Sequence, residues 1–458
     1  MKVGRLQDGV RVWRCLSRGP VGMVVLGIGL HAHHAHAQLI QQLFPSDIPG
    51  YSTDMTGSVV TRQMMGQQTD GIGLGSWLLR PSASENVGYN SNTLGIPGSG
   101  SPVVQTSANV SVNSRWRRHA LGASVGMDDH RYPTQSIASY TNWHGNIGGT
   151  LNLGHDTLSM AYSHYQYHLS ATNLGVYGVV YPVPYQVNDG RLTYTKMFGR
   201  FSLIPAFDYQ DFSFGTAPGP ISIDYGTISH KTETGSLTSR YEFSRGNAAV
   251  VVFRGSAAQY DSVPEASVNN YADGAGFGGV DFRSGQVWQY RLLVGGETRS
   301  FSSGRSPSVT TPTFEVNVSW MPRRIDTVNL TAARHLSDPE TPFARNQVVT
   351  DVRLQWDHEL RRNVFLRAYA EYGESASQSS MTVPTGSATA SLEGSRLQKQ
   401  IHFGGSVFWN IDRHVRASLT YNYVNNATSG GNVNYLNIPG RLSTFTSNTI
   451  LLGFSFSG

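Results

Sequence analysis

At 458 residues the chain is long enough for one large domain or for two or three ordinary ones. Charged residues make up only 14% of it, whereas it contains 50 glycines and 22 tyrosines. This composition argues against a helical enzyme and, because aromatic residues are abundant, against a disordered chain. It favours a large β structure.

The first 37 residues predict a cleaved secretory signal peptide. A basic region that ends at Arg18 precedes an apolar core at Pro20–Leu30, and Ala35–Ala37 supplies a small-x-small cleavage pattern. The apolar core is too short to cross a membrane as a helix. Cleavage would remove the only cysteine, with five of the 35 basic and one of the 30 acidic residues, which leaves a net charge of +1. We therefore expect no nucleic-acid partner.

Residues 38–70 precede the first predicted strand and are rich in Gln and Met near their end. We expect this segment to be either a periplasmic arm or a plug inside a barrel. The sequence does not separate these two alternatives.

From residue 71 onward, alternating stretches come in pairs that are joined by very short polar connections. The eight connections are Arg115–His119, Gly154–Asp156, Phe198–Arg200, Arg245–Asn247, Ser284–Gln286, Pro322–Arg324, Arg361–Asn363 and Ile411–Arg413. Each predicts a tight hairpin. With one strand before them, at Gly73–Tyr89, and one at the C-terminus, they predict about eighteen strands, with sixteen as the alternative count.

Longer stretches of Gly, Pro, Asn and Ser separate the hairpins, as at Asn90–Pro102, Ala171–Pro184 and Ser375–Ala390. An even strand number places both chain ends on the side of the short turns. Short turns on one side and long loops on the other are typical of bacterial outer-membrane barrels. The predicted fold is therefore an all-β, antiparallel transmembrane barrel over residues 71–458, with short periplasmic turns and long extracellular loops.

The predicted strands have one apolar and one polar face. In the stretch Phe314–Trp320, Phe314, Val316 and Val318 alternate with Glu315 and Asn317. A multi-domain β-sandwich protein would also alternate. The barrel is favoured because several tryptophans lie within a few residues of the tight turns, where an interfacial aromatic girdle belongs.

The same alternation predicts which charged side chains line an aqueous lumen. These are Arg240, Glu242, Arg254, Arg291, Glu297, Arg299, Glu315, Asp351, Arg353, Asp357, Arg367 and Glu371. Six positive and six negative charges predict weak ion selectivity and a polar, roughly neutral solute such as a saccharide. The alternative is that these residues pair across strands and simply hold the wall.

The last strand carries Ile450, Leu452, Phe454 and Phe456 on one face. A closed barrel has no free edge, so this strand is expected to pair with the first one and to turn its apolar face to lipid. The aromatic end also resembles the C-terminal signal that the outer-membrane assembly machinery recognises.

The segment Asp70–Asn92 is more specific than these patterns. It contains a glycine-rich run that leads to a proline and a Tyr-x-x-Asn element, at Gly71, Gly73, Gly75, Trp77, Pro81, Tyr89 and Asn92. It resembles the opening of the putative beta-barrel porin 2 family of outer-membrane proteins, and His130–Gly154 resembles the family's loop and strand after its first hairpin. The resemblance implies an outer-membrane barrel. In several relatives this barrel is associated with exopolysaccharide production and export.

Motifs of catalysis are scarce. The sequence contains no GxSxG, HExxH, P-loop or CxxC motif. Two clusters, Asp128–His130 and Asp357–Glu359, could suggest a barrel hydrolase, but a polar loop and a strand that runs into a turn explain them better. The histidines between His31 and His36 lack carboxylate neighbours, so we expect no metal site there. We also expect no cofactor and no catalytic residue.

The sequence therefore predicts an outer-membrane channel, secreted through its signal peptide in a Gram-negative bacterium, for polar solutes or for secretion of an exopolysaccharide. The expected partners are the outer-membrane bilayer, the barrel assembly machinery and, for export, polysaccharide and periplasmic export components. One alternative is a non-conducting barrel whose extracellular loops bind a surface polymer or a partner. A barrel hydrolase is the third hypothesis.

Overall fold

The computed structural model describes residues 71–458 except 171, 177–180, 218–223, 262–268, 286, 303–306, 342–343, 386–387 and 434–443. The predicted signal peptide and the segment 38–70 lie outside the described residues, so those two domain boundaries stay predictions. No helix among the described residues is long and apolar enough to cross a membrane.

Nineteen strands make up almost all of the described chain. The first ten are β1 (Ile72–Leu74), β2 (Trp77–Asn90), β3 (Ser101–Ser114), β4 (Ala120–Arg131), β5 (Tyr140–Asn152), β6 (Thr157–Leu169), β7 (Val183–Phe198), β8 (Phe201–Phe214), β9 (His230–Ser244) and β10 (Asn247–Tyr260). The others are β11 (Tyr271–Ser284), β12 (Trp288–Phe301), β13 (Val309–Trp320), β14 (Asp326–Ser337), β15 (Asn346–Arg361), β16 (Val364–Thr385), β17 (Ala388–Asn410), β18 (Val415–Val433) and β19 (Phe445–Ser457). Two short 3₁₀ turns, Ser136–Ala138 and Tyr225–Ile228, lie in the connections.

Strands β2 to β19 close into one antiparallel barrel of eighteen strands. Each pairs with its neighbours in sequence, and β19 pairs with β2, with Ile450 opposite Tyr89 and Phe456 opposite Ala83. Closure satisfies the backbone groups that an open sheet would leave unpaired at its edges. The prediction of an all-β barrel with eighteen strands is confirmed.

The predicted first strand is interrupted near its start. Gly75 has a φ of +63°, a conformation that suits glycine, and the chain turns back there so that Ile72 pairs with Leu79. The short strand β1 thus lies beside the first residues of β2, below the point where the β19 pairing ends.

All eight predicted tight turns join consecutive strands at one end of the barrel, hereafter the short-turn end. The connections at the opposite, long-loop end are mostly longer. One expectation was wrong: Ser375–Ala390 is not a long loop, because β16 and β17 remain paired as far as Thr385 and Ala388. Both strands contain several Ser and Thr residues, which are compatible with a β-hairpin that extends past the neighbouring strands at the long-loop end.

The two faces of the barrel differ as alternation requires. On β19, Ile450, Leu452, Phe454 and Phe456 are exposed on the outer face, while Leu451 is buried on the inner face. Exposed aromatic side chains cluster on the outer face at the short-turn end, where Trp288 and Trp320 stack with ring centroids 5.3 Å apart. Such a ring fits the boundary between lipid and water.

Candidate functional site: the inner wall of the barrel

The strand register places all twelve charged residues of the predicted set on the inner face. Arg353 lies opposite Glu371 and Arg367 opposite Asp357, and both pairs alternate with outward side chains such as Leu354 and Trp356. Side chains also meet over an intervening strand, as Arg254 of β10 and Glu297 of β12 do. Such contacts are natural on the concave side of a curved sheet.

Four ion pairs lie in the middle and the short-turn half of this wall. Their closest nitrogen–oxygen distances are 3.4 Å for Arg254–Glu297, 2.6 Å for Arg291–Asp281, 3.2 Å for Arg353–Glu371 and 2.7 Å for Arg367–Asp357. Arg240 approaches the second oxygen of Asp281 at 3.4 Å, so that the Asp281 carboxylate is paired with both Arg240 and Arg291.

The two partners of each pair lie at different depths. The five arginines, Arg240, Arg254, Arg291, Arg353 and Arg367, keep 23–33% of their side chains exposed, whereas the four carboxylates are only 0–7% exposed. A short Asp or Glu side chain ends close to the backbone, while the longer Arg reaches over it and holds its charged end in water. The carboxylates therefore lie beneath the arginines.

Aromatic rings support several of these arginines. The guanidinium carbon of Arg353 lies 4.7 Å from the centre of the Tyr369 ring, and that of Arg254 lies 5.3 Å from the Phe277 ring. Cation–π contact favours this arrangement and restricts the direction in which each guanidinium points.

Not every residue of the predicted set reaches water. Glu297, Arg299, Asp357 and Glu371 are buried on the inner face, which differs from the expectation of a uniformly wetted wall. Glu242, Glu315 and Asp351 are half-buried there. Whether the set lines an open channel remains a prediction.

Arg299 fastens a connection to the wall. Its guanidinium donates to both oxygens of Asp273, at 2.9 and 2.8 Å, and to Asp338 at 3.3 Å, and it lies 3.7 Å from the Tyr271 ring centre. Asp338 begins the connection between β14 and β15, hereafter the β14–β15 loop (338–345). Burial alone would raise the pKa of Asp338, but the Arg299 charge and the neighbouring His230 ring, whose Nε2 lies 3.4 Å from Oδ2, outweigh it and hold that pKa well below its ordinary value.

Near Arg299, side chains of β12 form hydrogen bonds with the end of β14, where the pairing of β14 with β13 has ended. The pairing of β13 with β14 stops at Phe314 and Arg334, and the end of β14 bends away toward β12. Glu297 accepts the backbone N–H of Leu336 at 2.9 Å, and Arg299 donates to the carbonyl of Ser337 at 3.2 Å. Glu297 and Arg299 thus act as a latch on the β14–β15 loop.

A second connection crosses the barrel. In the connection between β6 and β7, the N–H of Gly175 donates to Gln398 at 2.8 Å, and the Gln400 amide donates to the carbonyl of Thr172 at 3.1 Å. Leu174 of this connection is buried against Val349 of β15. Strands β15 and β17 belong to the opposite wall, so this connection narrows the interior.

Sequence reasoning missed several acidic residues of the inner wall, among them Asp273 and Asp281. Both lie on β11, whose stretch Asp273–Asp281 contains four glycines and lacks clear alternation. The signal that could have revealed them is the register itself, since Asp281 lies opposite Arg291 and Asp273 opposite Arg299.

The two clusters considered for a hydrolase are not assembled as catalytic sites. Asp129 binds Arg131 and Thr141, whereas Asp128 accepts from Ser107. In the second cluster, His358 lies 2.8 Å from Asp326 while Asp357 holds Arg367. Within the part of the chain that the structure describes, no group of His, Cys, Asp and Glu side chains could hold a metal ion.

Several solved structures align with most of this chain. The outer membrane protein opdK of Pseudomonas aeruginosa matches at 9% identity and a TM-score of 0.42, over 83% of this chain and 99% of that one. OccAB2 of Acinetobacter baumannii matches at 8% and 0.43, over 84% and 100%. A BenF-like porin of Pseudomonas fluorescens Pf-5 matches at 10% and 0.43, again over 84% and 100%.

The sequence itself provides the family. No curated protein matches the chain. A family model, putative beta-barrel porin 2, matches residues 67–440, which include seventeen of the eighteen barrel strands in full or nearly so. The chain therefore belongs to the putative beta-barrel porin 2 family.

Proposed function

We propose that this outer-membrane barrel is a passive channel for polar solutes, with no catalytic step and no cofactor. The observation that carries the proposal is the inner wall of partly exposed arginines, which continues from the middle of the barrel toward the short-turn end. A water-filled path would keep these charges hydrated, whereas a dry interior would bury them at high cost.

The direct test is electrical. Purified, heat-modifiable protein is reconstituted into planar bilayers, and single-channel conductance is recorded in KCl. Stepwise conductance is the expected result. Its absence from protein that is demonstrably folded would contradict a channel.

A second function has its own support. The β6–β7 and β14–β15 connections fold toward the interior, as expected of a non-conducting barrel that binds a surface polymer or a partner at its long-loop end. This alternative predicts folded protein with no conductance and with binding that is lost when those connections are changed.

Export of an exopolysaccharide is a narrower form of the channel proposal, and it rests on the resemblance to family members associated with export. The barrel would then cooperate with periplasmic export components, and the barrel assembly machinery would insert it after cleavage of the signal peptide. Deletion of the gene should then lower the polysaccharide at the cell surface while its precursors accumulate inside.

A further inference from the structure

The inner wall carries similar numbers of positive and negative side chains, but they are not equally accessible. The carboxylates of Asp281, Glu297, Asp357 and Glu371 are at most 7% exposed, and each lies under an arginine. A solute that passes along this wall meets guanidinium groups first. The buried carboxylates fix the arginines in place and compensate their charge from behind.

The exposed arginines extend along the barrel axis. Arg240, Arg291 and Arg367 lie three or four residues from the ends of their strands at the short turns, while Arg254 and Arg353 lie near mid-strand. Arg416 continues the series on β18, where its Nε donates to Asn410 at 2.6 Å. The partly exposed carboxylates include Asp208 and Glu242, on β8 and β9 at one side of this series, and Glu315 and Asp351, on β13 and β15 within it.

We infer that the barrel selects anionic solutes, and in particular those that bear a carboxylate. The inference rests on the proposed channel function. A guanidinium group presents a planar pair of N–H donors that matches the two oxygens of a carboxylate. Several such groups along one path would let an anion move from one to the next without losing its hydrogen bonds to the wall.

The test separates accessible charge from net charge. In one variant, Arg353→Gln, Glu371→Gln, Arg367→Gln and Asp357→Asn are combined, which removes two charges of each sign and leaves the formal charge of the wall unchanged. A matched control combines Asp129→Asn with Arg131→Gln, an ion pair at 2.6 Å on the outer face at the long-loop end. Heat modifiability confirms that each variant is folded.

Reversal potentials in a KCl gradient give the first readout. We expect the wild type and the control to favour chloride over potassium several-fold and the inner-wall variant to lose most of that preference. Wild-type channels without anion preference, or an inner-wall variant that keeps it, would overturn the inference while the channel function stands. Folded wild-type protein without any conductance would instead refute the channel function itself.

Solute uptake gives the second readout. Liposomes that contain the barrel are mixed with galactose or with galacturonate, which differ chiefly in a carboxylate. Faster entry of galacturonate through the wild type, and equal rates through the inner-wall variant, are expected. Equal rates through the wild type would show that accessible arginines do not select for carboxylates.

Discussion

Glu371 lies beneath Arg353, with Oε2 3.2 Å from Nη1, and only 2% of its side chain is exposed. A buried carboxylate depends on its arginine partner, because water cannot reach the carboxylate to solvate its charge if the arginine is removed. The pair is thus one structural unit, although only the arginine meets the solvent.

This dependence predicts unequal effects of single and double substitutions. Arg353→Met should destabilise the barrel by about 3 kcal/mol, the lower end of what breaking a buried pair costs, because Arg353 itself is a third exposed. Adding Glu371→Leu should recover much of that loss. Urea unfolding of the vesicle-inserted protein measures both, and equal stabilities of the two variants would contradict the account.

Glu85 is an exception on the outer face. It lies opposite Phe454, between the exposed Val87 and Ala83 on β2, and accepts a hydrogen bond from Thr106 at 2.6 Å. A carboxylate on a face that contacts lipid is unfavourable, by an amount that depends on its depth.

Glu85→Leu should therefore raise the free energy of unfolding, by about 1–2 kcal/mol if the site lies within the apolar band. Glu242→Leu is the matched control, because Glu242 lies on the inner face near Arg240. The control should give no such gain. A loss of stability in Glu85→Leu would contradict this account.

Among the elements, the latch of the β14–β15 loop depends on two side chains from β12. Leu336 and Ser337 lie beyond the end of the β13 pairing, and Glu297 and Arg299 supply the hydrogen bonds that a neighbouring strand would otherwise provide. Buried backbone N–H and C=O groups without such partners would be unfavourable.

Arg299→Met should release this loop and expose Arg345 to trypsin. The matched control is Glu315→Gln on β13.

The pKa of Asp338 lies below its ordinary 3.8. The contribution of Asp338 to stability is therefore present above that value and is lost only as the pH falls toward the lowered pKa. Wild-type protection should thus be equal at about pH 5 and about pH 8. Unchanged trypsin resistance of the Arg299→Met variant would show that Arg299 does not hold this loop.

Strand β19 closes the barrel through pairs with both β18 and β2. Truncation before Ile450 should therefore leave the barrel uninserted, and Phe456→Ala should lower the amount of heat-modifiable protein. Ser457→Ala is the control, since it leaves the apolar face intact. Normal amounts of folded barrel from the truncated chain would show that another strand can close the sheet.

At the scale of the whole molecule, the barrel has two unlike ends. The eight short turns lie at one end, and the connections at the other are longer and partly fold inward. In outer-membrane barrels the short turns face the periplasm and the longer loops face the outside.

Cysteine labelling tests this orientation, because the predicted mature chain contains no cysteine. Thr134→Cys at the long-loop end should react with a membrane-impermeant maleimide on intact cells. Arg245→Cys and Arg324→Cys, both exposed at short turns, should react only after the outer membrane is opened. The reverse pattern would invert the barrel in the membrane.

The sequence by itself determined the barrel architecture, the positions of the eight tight turns and the two faces of most strands, and it left sixteen or eighteen as the strand number. These features depend on alternation with a period of two and on short turns, both of which are local properties. Alternation failed on β11, where glycines hid Asp273 and Asp281, and in the Ser375–Ala390 stretch, where polar residues form a long hairpin.

Only the tertiary structure decided which charges are accessible and which connections enter the barrel. The depth of Glu371 under Arg353 depends on the curvature of the sheet and on side-chain length, and the Gly175–Gln398 contact joins residues 223 positions apart. Neither is a local property. A count of charges therefore predicted a neutral wall, whereas closure of the barrel arranges the same residues with their arginines toward the interior space.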